Sequence, residues 1–534
     1  MTSWFIYWAP DLFMLCSLLV LRVYGIVVSS NLQKQESVLF SLAEWSLTSV
    51  KRPSKTSVSP SLNMQSVKKN VNYALKAKNT AVIDNPIQAQ LHMNSLFVRW
   101  CFSAAFLCAY TPFEIIHWSG LFQNDFFSSN LSFILFFYAA LCFILIRGWQ
   151  IQAKIVHEET LWLCCLALLG QRLLLCCTDL MSMYICLELQ SFCFIVICSL
   201  NYGSLYSVEA GRKLFLRSAF SSCLMLLGIG FIYFSTGQTN CAHIQELLSF
   251  SNARSGDVVV WMGIWLVSRS LLWKLAVAPL HMWAADVYEG AQSHVTLLLS
   301  TLPKLAVLGF WLHTWHSVCI HTWNNALCVF SGISLLVGAF GAFTQPRLKR
   351  MLAYSSIAHM GFLLMPLCST IQGSSALLTH LLLYWTTSLL IWALIMTRFW
   401  RHQPAQMHMP QFIWDLSVNW KTMPAYSFLW AIAMMSLAGL PPVAGFLGKL
   451  ALFSWSLNHG IYTLIGVALL STLISSVYYI RIIRVLYLDQ PKSWSHIMPL
   501  NNTTASLVTI SMCVLVLLLW YSTPLTMYTH LLCL

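Results

Sequence analysis

An all-α, polytopic membrane fold of about fourteen transmembrane helices follows from three features of the 534-residue sequence. The composition is 58% hydrophobic and only 9% charged, where a soluble domain carries about 25% charged residues. The apolar residues gather in runs long enough to cross a bilayer, which needs roughly 20 residues each. Those runs lack strand alternation. A bilayer forces each backbone N–H and C=O to pair within its own segment, so the runs are helices.

Taken in order, the spans are 5–28, 94–112, 131–148, 159–177, 180–201, 214–235, 258–283, 293–314, 323–344, 348–367, 375–399, 424–457, 460–488 and 504–522. The first (within 1–30) carries Pro10 and Asp11 near its outer end, and nothing in Met1–Ser30 marks a cleavable signal peptide. Residues 31–93 form a long polar, basic insertion or loop, with a candidate basic surface helix over Met64–Lys78. Spans two and three occupy 94–158. Five closely spaced spans follow in 159–314 and five more in 323–488, and 489–534 holds a last helix and a tail. Two spans are interrupted by proline deep in the apolar run, at Pro279 and at Gly439-Leu440-Pro441-Pro442. Broken helices at corresponding places in two five-helix sets are the mark of inverted-repeat transporters.

Charge placement gives the topology. The net charge is +13, but its distribution is not that of a nucleic-acid binder. The odd-numbered loops hold 22 of the 30 Lys and Arg, the even-numbered loops only Arg172 and Arg254, and the rest lie in spans. That asymmetry is the positive-inside pattern. It orients both termini toward the electrically positive, outer side. The eighteen cysteines lack any C-x-x-C spacing and mostly sit in spans, as small hydrophobes.

Ionisable groups at bilayer depth mark functional sites. The acidic ones are Glu188, central in its span, with Asp11 and Glu114 nearer span ends. The basic ones are Lys274, Lys304 and Lys449, and the histidines to weigh are His281 and His359. Desolvation disfavours the charged form of a lysine, and a nearby carboxylate favours it again. A Glu188–Lys274 pair that closes and opens would therefore capture and release a proton. Pro279 would free the carbonyl of Leu275 to hold water, and His281, two helical turns beyond Lys274, is placed as a relay. His359 is placed as a second relay, with a satisfied core histidine as its bland alternative. No G-x-G-x-x-G occurs, and the GFLGKL of 445–450 lacks the rest of a P-loop. Nicotinamide, flavin and Fe–S binding find no support in this chain.

Several stretches carry a family resemblance. They are KLAVAPLHMWAADVYEG (274–290), LKRMLAYSSIAHMGFLL (348–364), AGLPPVAGFLGKLALF (438–453), SSVYYIRIIRVLYLDQPKSW (475–494) and CTDLMSMYICLELQSF (177–192). They resemble the antiporter-like membrane subunits of respiratory complex I, proton-pumping NADH:ubiquinone oxidoreductase, of the subunit 2 type and in its plant and algal mitochondrial form. The resemblance runs over about 120–534. It implies a subunit of the mitochondrial inner membrane with two discontinuous helices and kinship to Mrp-type cation/proton antiporters. It also implies a proton path through Glu188, Lys274, Lys304 and Lys449. No cofactor is implied in this chain: NADH, FMN, Fe–S clusters and ubiquinone belong to other subunits. Partners would be the other membrane-arm subunits, including neighbouring antiporter-like ones, and lipids such as cardiolipin. The polar run 51–93 departs from the family, where a continuous apolar second helix is expected. A stand-alone cation/proton antiporter is the alternative, and a non-pumping scaffold subunit a third reading, which the four charged residues disfavour.

Overall fold

The computed structural model describes residues 91–110, 115–153, 159–250, 257–369, 373–397, 399–401, 406–417, 423–489, 495–497 and 501–533. The first predicted span, Asp11, Glu114, Arg254, the candidate helix Met64–Lys78 and nearly all of the polar segment 31–93 lie outside these residues. Every other predicted span is helical. Helix α1 is described over 91–110, so the second span includes at least three residues before the start read from hydropathy. It is followed by α2 (Phe126–Ala153), α3 (Glu159–Leu175), α4 (Leu180–Ser199) and α5 (Leu205–Thr236). A short α6 (Cys241–Phe250), too short to register as a span, precedes α7 (Asp257–Lys274) and α8 (Met282–Gly290).

Helix α9 (Ser293–Phe310) runs through a π turn at Trp311–Trp315 into α10 (His316–Phe343). Then come α11 (Leu348–Leu364), α12 (Ser374–Ile395), α13 (Pro424–Ala438), α14 (Gly445–Asn458), α15 (Tyr462–Tyr487) and α16 (Asn502–Trp520). The C-terminal tail carries a further helix, α17 (Thr523–Cys533). Strands are confined to connections: β1 (Ile115–His117) pairs with β2 (Phe122–Asn124), and β3 (Phe399–Arg401) lies between β4 (Gln406–His408) and β5 (Ser495–Ile497), all antiparallel.

Burial sorts these helices into a centre and a rim. Every residue of α9 except Pro303 is buried, and so is nearly all of α12. By contrast α5, α15 and α16 carry exposed Leu216, Phe234, Leu473 and Leu517 where a bilayer or a neighbour would lie. Serine and threonine hydroxyls inside the spans turn back on carbonyls three or four residues earlier, as Ser300 and Thr301 do on Leu297. This satisfies them without water.

One basic residue is not where charge counting placed it. Arg172, assigned to an even-numbered loop, lies within α3 and is 1% exposed. Its Nη1 donates to Ser132 Oγ at 2.7 Å and its Nη2 to Asn124 Oδ1 at 3.5 Å. Both terminal nitrogens thus meet neutral acceptors inside the fold, and Arg172 drops out of the topology count.

Candidate functional site

The site begins where two apolar helices stop in mid-fold. At the first break α7 ends on Lys274, and α8 starts only at Met282. The break was read from Pro279, but the chain leaves the helix directly after Lys274, and Ala276 holds a left-handed φ of 60°. Leu275 thus lies outside the helix already, so freeing its carbonyl is not what Pro279 does. The orphan carbonyls at this helix end accept from Ala276 N (to Trp273 O, 3.1 Å) and Val277 N (to Leu272 O, 3.1 Å). Trp273 O also takes the Trp283 indole N–H at 3.1 Å.

Lys274 points across to α4. Asp179 caps that helix by accepting from Met181 N and Ser182 N, which fixes the register that presents Glu188. Lys274 Nζ donates to Glu188 Oε1 at 3.1 Å and approaches Leu187 O at 3.4 Å. The two side chains are 10% and 14% exposed, so the pair is almost withdrawn from solvent yet not sealed. Ser191 Oγ reaches the second carboxylate oxygen, Glu188 Oε2, at 3.4 Å.

At the second break α13 closes on Gly439, whose φ of 76° is readily taken by glycine. Its N–H returns to Met435 O and Ser436 O. Two carbonyls remain at that helix end, and Lys449 of α14 reaches back to both: Nζ donates to Leu437 O at 3.0 Å and to Ala438 O at 2.7 Å. A cation at a helix C-terminus faces the negative end of the dipole. The two lysines are thus held differently, Lys274 by a carboxylate on another helix and Lys449 by its own broken helix.

Lys304 sits between them in α9. It is 4% exposed and its Nζ has no hydrogen-bond acceptor among the described residues. It lies 5.4 Å from the centre of the Tyr384 ring of α12, within cation–π range. Tyr384 leads on to His359, 5.0 Å between ring centres. His359 Nδ1 is 3.4 Å from His380 Nε2, and the two rings stack. Phe362 then packs against both His380 and Lys449 Nζ. A series of packed side chains therefore runs Lys304, Tyr384, His359, His380, Phe362, Lys449.

His281 does not continue the Lys274 face, because no helix joins them. It precedes α8, is 6% exposed, and packs 6.2 Å from the Tyr354 ring of α11. Sequence reading missed His380 and Tyr384, although a histidine within LLTHLLLYW is itself an ionisable group in an apolar run. It also missed an ion lattice around α8. Asp286 accepts from Lys213 Nζ at 3.0 Å and lies 3.6 Å from Arg350 Nη2; Glu289 meets Arg350 Nη1 at 3.4 Å and also Arg347. Lys349 Nζ donates to Ala291 O just past α8 at 2.9 Å. The lattice ties α8 to α5 and α11. Its members are partly exposed, from 17% at Glu289 to 47% at Arg347, so each pair contributes on the order of 0.2–1 kcal/mol. Asp286→Asn should therefore lower the melting temperature of the isolated protein by about a degree at low salt, a difference that shrinks in high salt as screening takes over; a salt-independent loss would assign Asp286 another role.

These features define a class: a polytopic helical membrane protein with two discontinuous helices and a buried chain of titratable groups. Residues 177–475 match the family described as NADH:quinone oxidoreductase/Mrp antiporter, transmembrane. The NADH-ubiquinone oxidoreductase chain 2 of Marchantia polymorpha is 35% identical over 360 residues, covering 66% of this chain and 72% of that one. The chain 2 of Oenothera berteroana is 31% identical over 420 residues, covering 78% and 84%. A chain from respiratory complex I of Thermus thermophilus shares the fold, with a TM-score of 0.67 at 23% identity over 83% of this chain and 93% of that one. The chain belongs to the NADH:quinone oxidoreductase/Mrp antiporter membrane-subunit family, among relatives of the chain 2 type.

Proposed function

We propose that the chain is a membrane-arm subunit of a proton-translocating NADH:ubiquinone oxidoreductase of the mitochondrial inner membrane, and that it moves protons along Glu188, Lys274, Lys304 and Lys449. The observation that carries the proposal is the Glu188–Lys274 ion pair at a helix break. A lysine at the free end of a half-helix can move without unfolding the rest of the helix. While it touches Glu188 its ammonium is favoured; drawn away from the carboxylate into apolar surroundings, it releases the proton. Lys304, with no acceptor of its own among the described residues, is the next group suited to take that proton. His359 and His380 bridge toward Lys449, whose two carbonyl acceptors hold the ammonium form.

The oxidoreduction itself belongs to other subunits in this reading, with NADH, FMN, Fe–S clusters and ubiquinone bound outside this chain. Neighbours are other membrane-arm subunits, antiporter-like ones among them, and lipids such as cardiolipin. On a native gel the protein should migrate with NADH dehydrogenase activity; a free monomer that exchanges cations for protons in vesicles would overturn the assignment in favour of a stand-alone antiporter. Within the complex, Glu188→Gln should slow coupled turnover by at least about tenfold, since a positioned proton-transfer group is worth about 10²–10⁴-fold and bypass is the only relief. Proton uptake per NADH in proteoliposomes measures it, and a normal rate and ratio would remove Glu188 from the path.

A further inference from the structure

Lys274 and Lys304 are on different helices, and no side chain joins them directly. Beside Lys274, and reaching Pro303 next to Lys304, lies a cavity of about 60 Å³ whose mostly apolar walls include Gln190 of α4, Arg217 of α5, Trp273 and Lys274 of α7, and Leu299 and Pro303 of α9. That is room for roughly four waters. Two polar groups face it without a protein partner to account for them. Gln190 is 4% exposed, and its Oε1 has no hydrogen-bond donor among the described residues. Pro303 lies inside α9. Lacking an N–H, it leaves the carbonyl of Leu299, four residues earlier, without its helical donor. A buried carbonyl and a buried amide oxygen both need a donor, and both border the same space.

Ser300, the residue after Leu299, lines a second cavity, of about 20 Å³, together with Tyr384. Tyr384 is the ring beneath the Lys304 ammonium. Helix α9 therefore contributes to the walls of both cavities. Its backbone lacks one hydrogen bond at Leu299, which lines the first cavity next to Ser300 in the second, and Lys304 directly follows Pro303.

We propose that Pro303 and Gln190 build the crossing by which a proton passes from Lys274 to Lys304. In the step, Lys274 Nζ gives its proton to a water held by Gln190 Oε1 and the Leu299 carbonyl. The excess proton shifts along hydrogen-bonded water through the α9 notch, and a neutral Lys304 Nζ takes it up. Lys274 ends neutral and Lys304 charged, with no net change in protons. Pro303 and Gln190 are positioning residues: they orient water and are not themselves titrated. The inference rests on the proton-translocating reading above.

The test uses the intact complex in proteoliposomes, with three variants. Pro303→Ala restores an amide that competes with water for the Leu299 carbonyl, and Gln190→Leu removes the acceptor at similar volume. Each should slow coupled turnover by about tenfold, as expected for one lost hydrogen bond in the transfer path. Each should also raise the solvent deuterium isotope effect on that rate, because water-borne transfer becomes limiting. A purely structural kink would change the yield of complex and leave the isotope effect where it was. Should Pro303→Ala not assemble, Gln190→Leu decides the matter alone. Normal rate and isotope effect in the assembled variants, with Lys274→Met defective, overturns the crossing; no defect in Lys274→Met overturns the proton-translocating reading itself.

Discussion

Replacing Lys274 by Met should leave an assembled complex whose coupled turnover is at least about tenfold slower, since a positioned proton-transfer group is worth 10²–10⁴-fold and bypass is the only relief. Methionine keeps an unbranched stem of similar reach, so the packing against Trp273 and Trp283 in the shared cavity survives. What disappears is the ammonium 3.1 Å from Glu188 Oε1. A carboxylate left alone at 14% exposure is costly. Because that residual exposure admits some solvent, the cost should be about 2–3 kcal/mol, short of the 3–5 of a fully buried pair. This gives the prediction an internal check. Lys274→Met combined with Glu188→Gln should recover most of the lost stability, because both charges are then gone, and none of the proton translocation. Proton uptake per NADH and the uncoupled electron-transfer rate separate the two effects. An unchanged ratio and coupled rate in the single variant would take Lys274 out of the pathway.

Why Lys274 was legible in the sequence while its surroundings were only partly so is a matter of what the bilayer penalises. A charge inside twenty apolar residues stands out at any position, so Lys274, Lys304, Lys449 and Glu188 could be named from composition alone. The span positions followed for the same reason, because unpaired backbone is forbidden there. Where each ammonium points could not be read. Lys274 reaches a carboxylate 86 residues away, while Lys449 bonds carbonyls 11 and 12 residues back on its own broken helix. The hydropathy of the two stretches does not distinguish them. The placing of His281 two turns below Lys274 assumed helical continuity through Pro279, and the chain gives that up at Leu275. The lattice of Asp286 and Glu289 was hidden by distance along the chain, its partners lying 73 and 61 residues away. In ADVYEG those acids read as ordinary loop-side polarity. Arg172 was misread because a guanidinium can be buried against neutral acceptors, which charge counting does not anticipate.

Gly445→Ala should be the most damaging single methyl in the described part of the chain. Gly445 opens α14, and a Cβ built there would lie 1.9 Å from the carbonyl oxygen of Ser436 in α13. Ordinary contact begins near 3.4 Å, so the two half-helices would have to part by roughly 1.5 Å, and the obstacle is backbone, which cannot swing aside as a side chain can. Overpacking of a side-chain core costs about 1–3 kcal/mol; a backbone clash belongs at or above the top of that range. Most of the subunit should then fail to enter the complex, read as loss of the native-gel band. Gly466→Ala is the matched control, since a Cβ at Gly466 meets nothing within 4 Å, and it should assemble as wild type. The molecules that do assemble with Gly445→Ala carry the more specific consequence. Lys449 lies one turn further along α14, and its bonds to Leu437 O and Ala438 O span the same gap. Parting the half-helices lengthens both bonds and removes the carbonyls that hold the ammonium, so the surviving complex should also pump fewer protons per NADH. Assembly at wild-type levels would mean that the two half-helices can separate freely, and that the close backbone approach at the second break does not hold Lys449 in place.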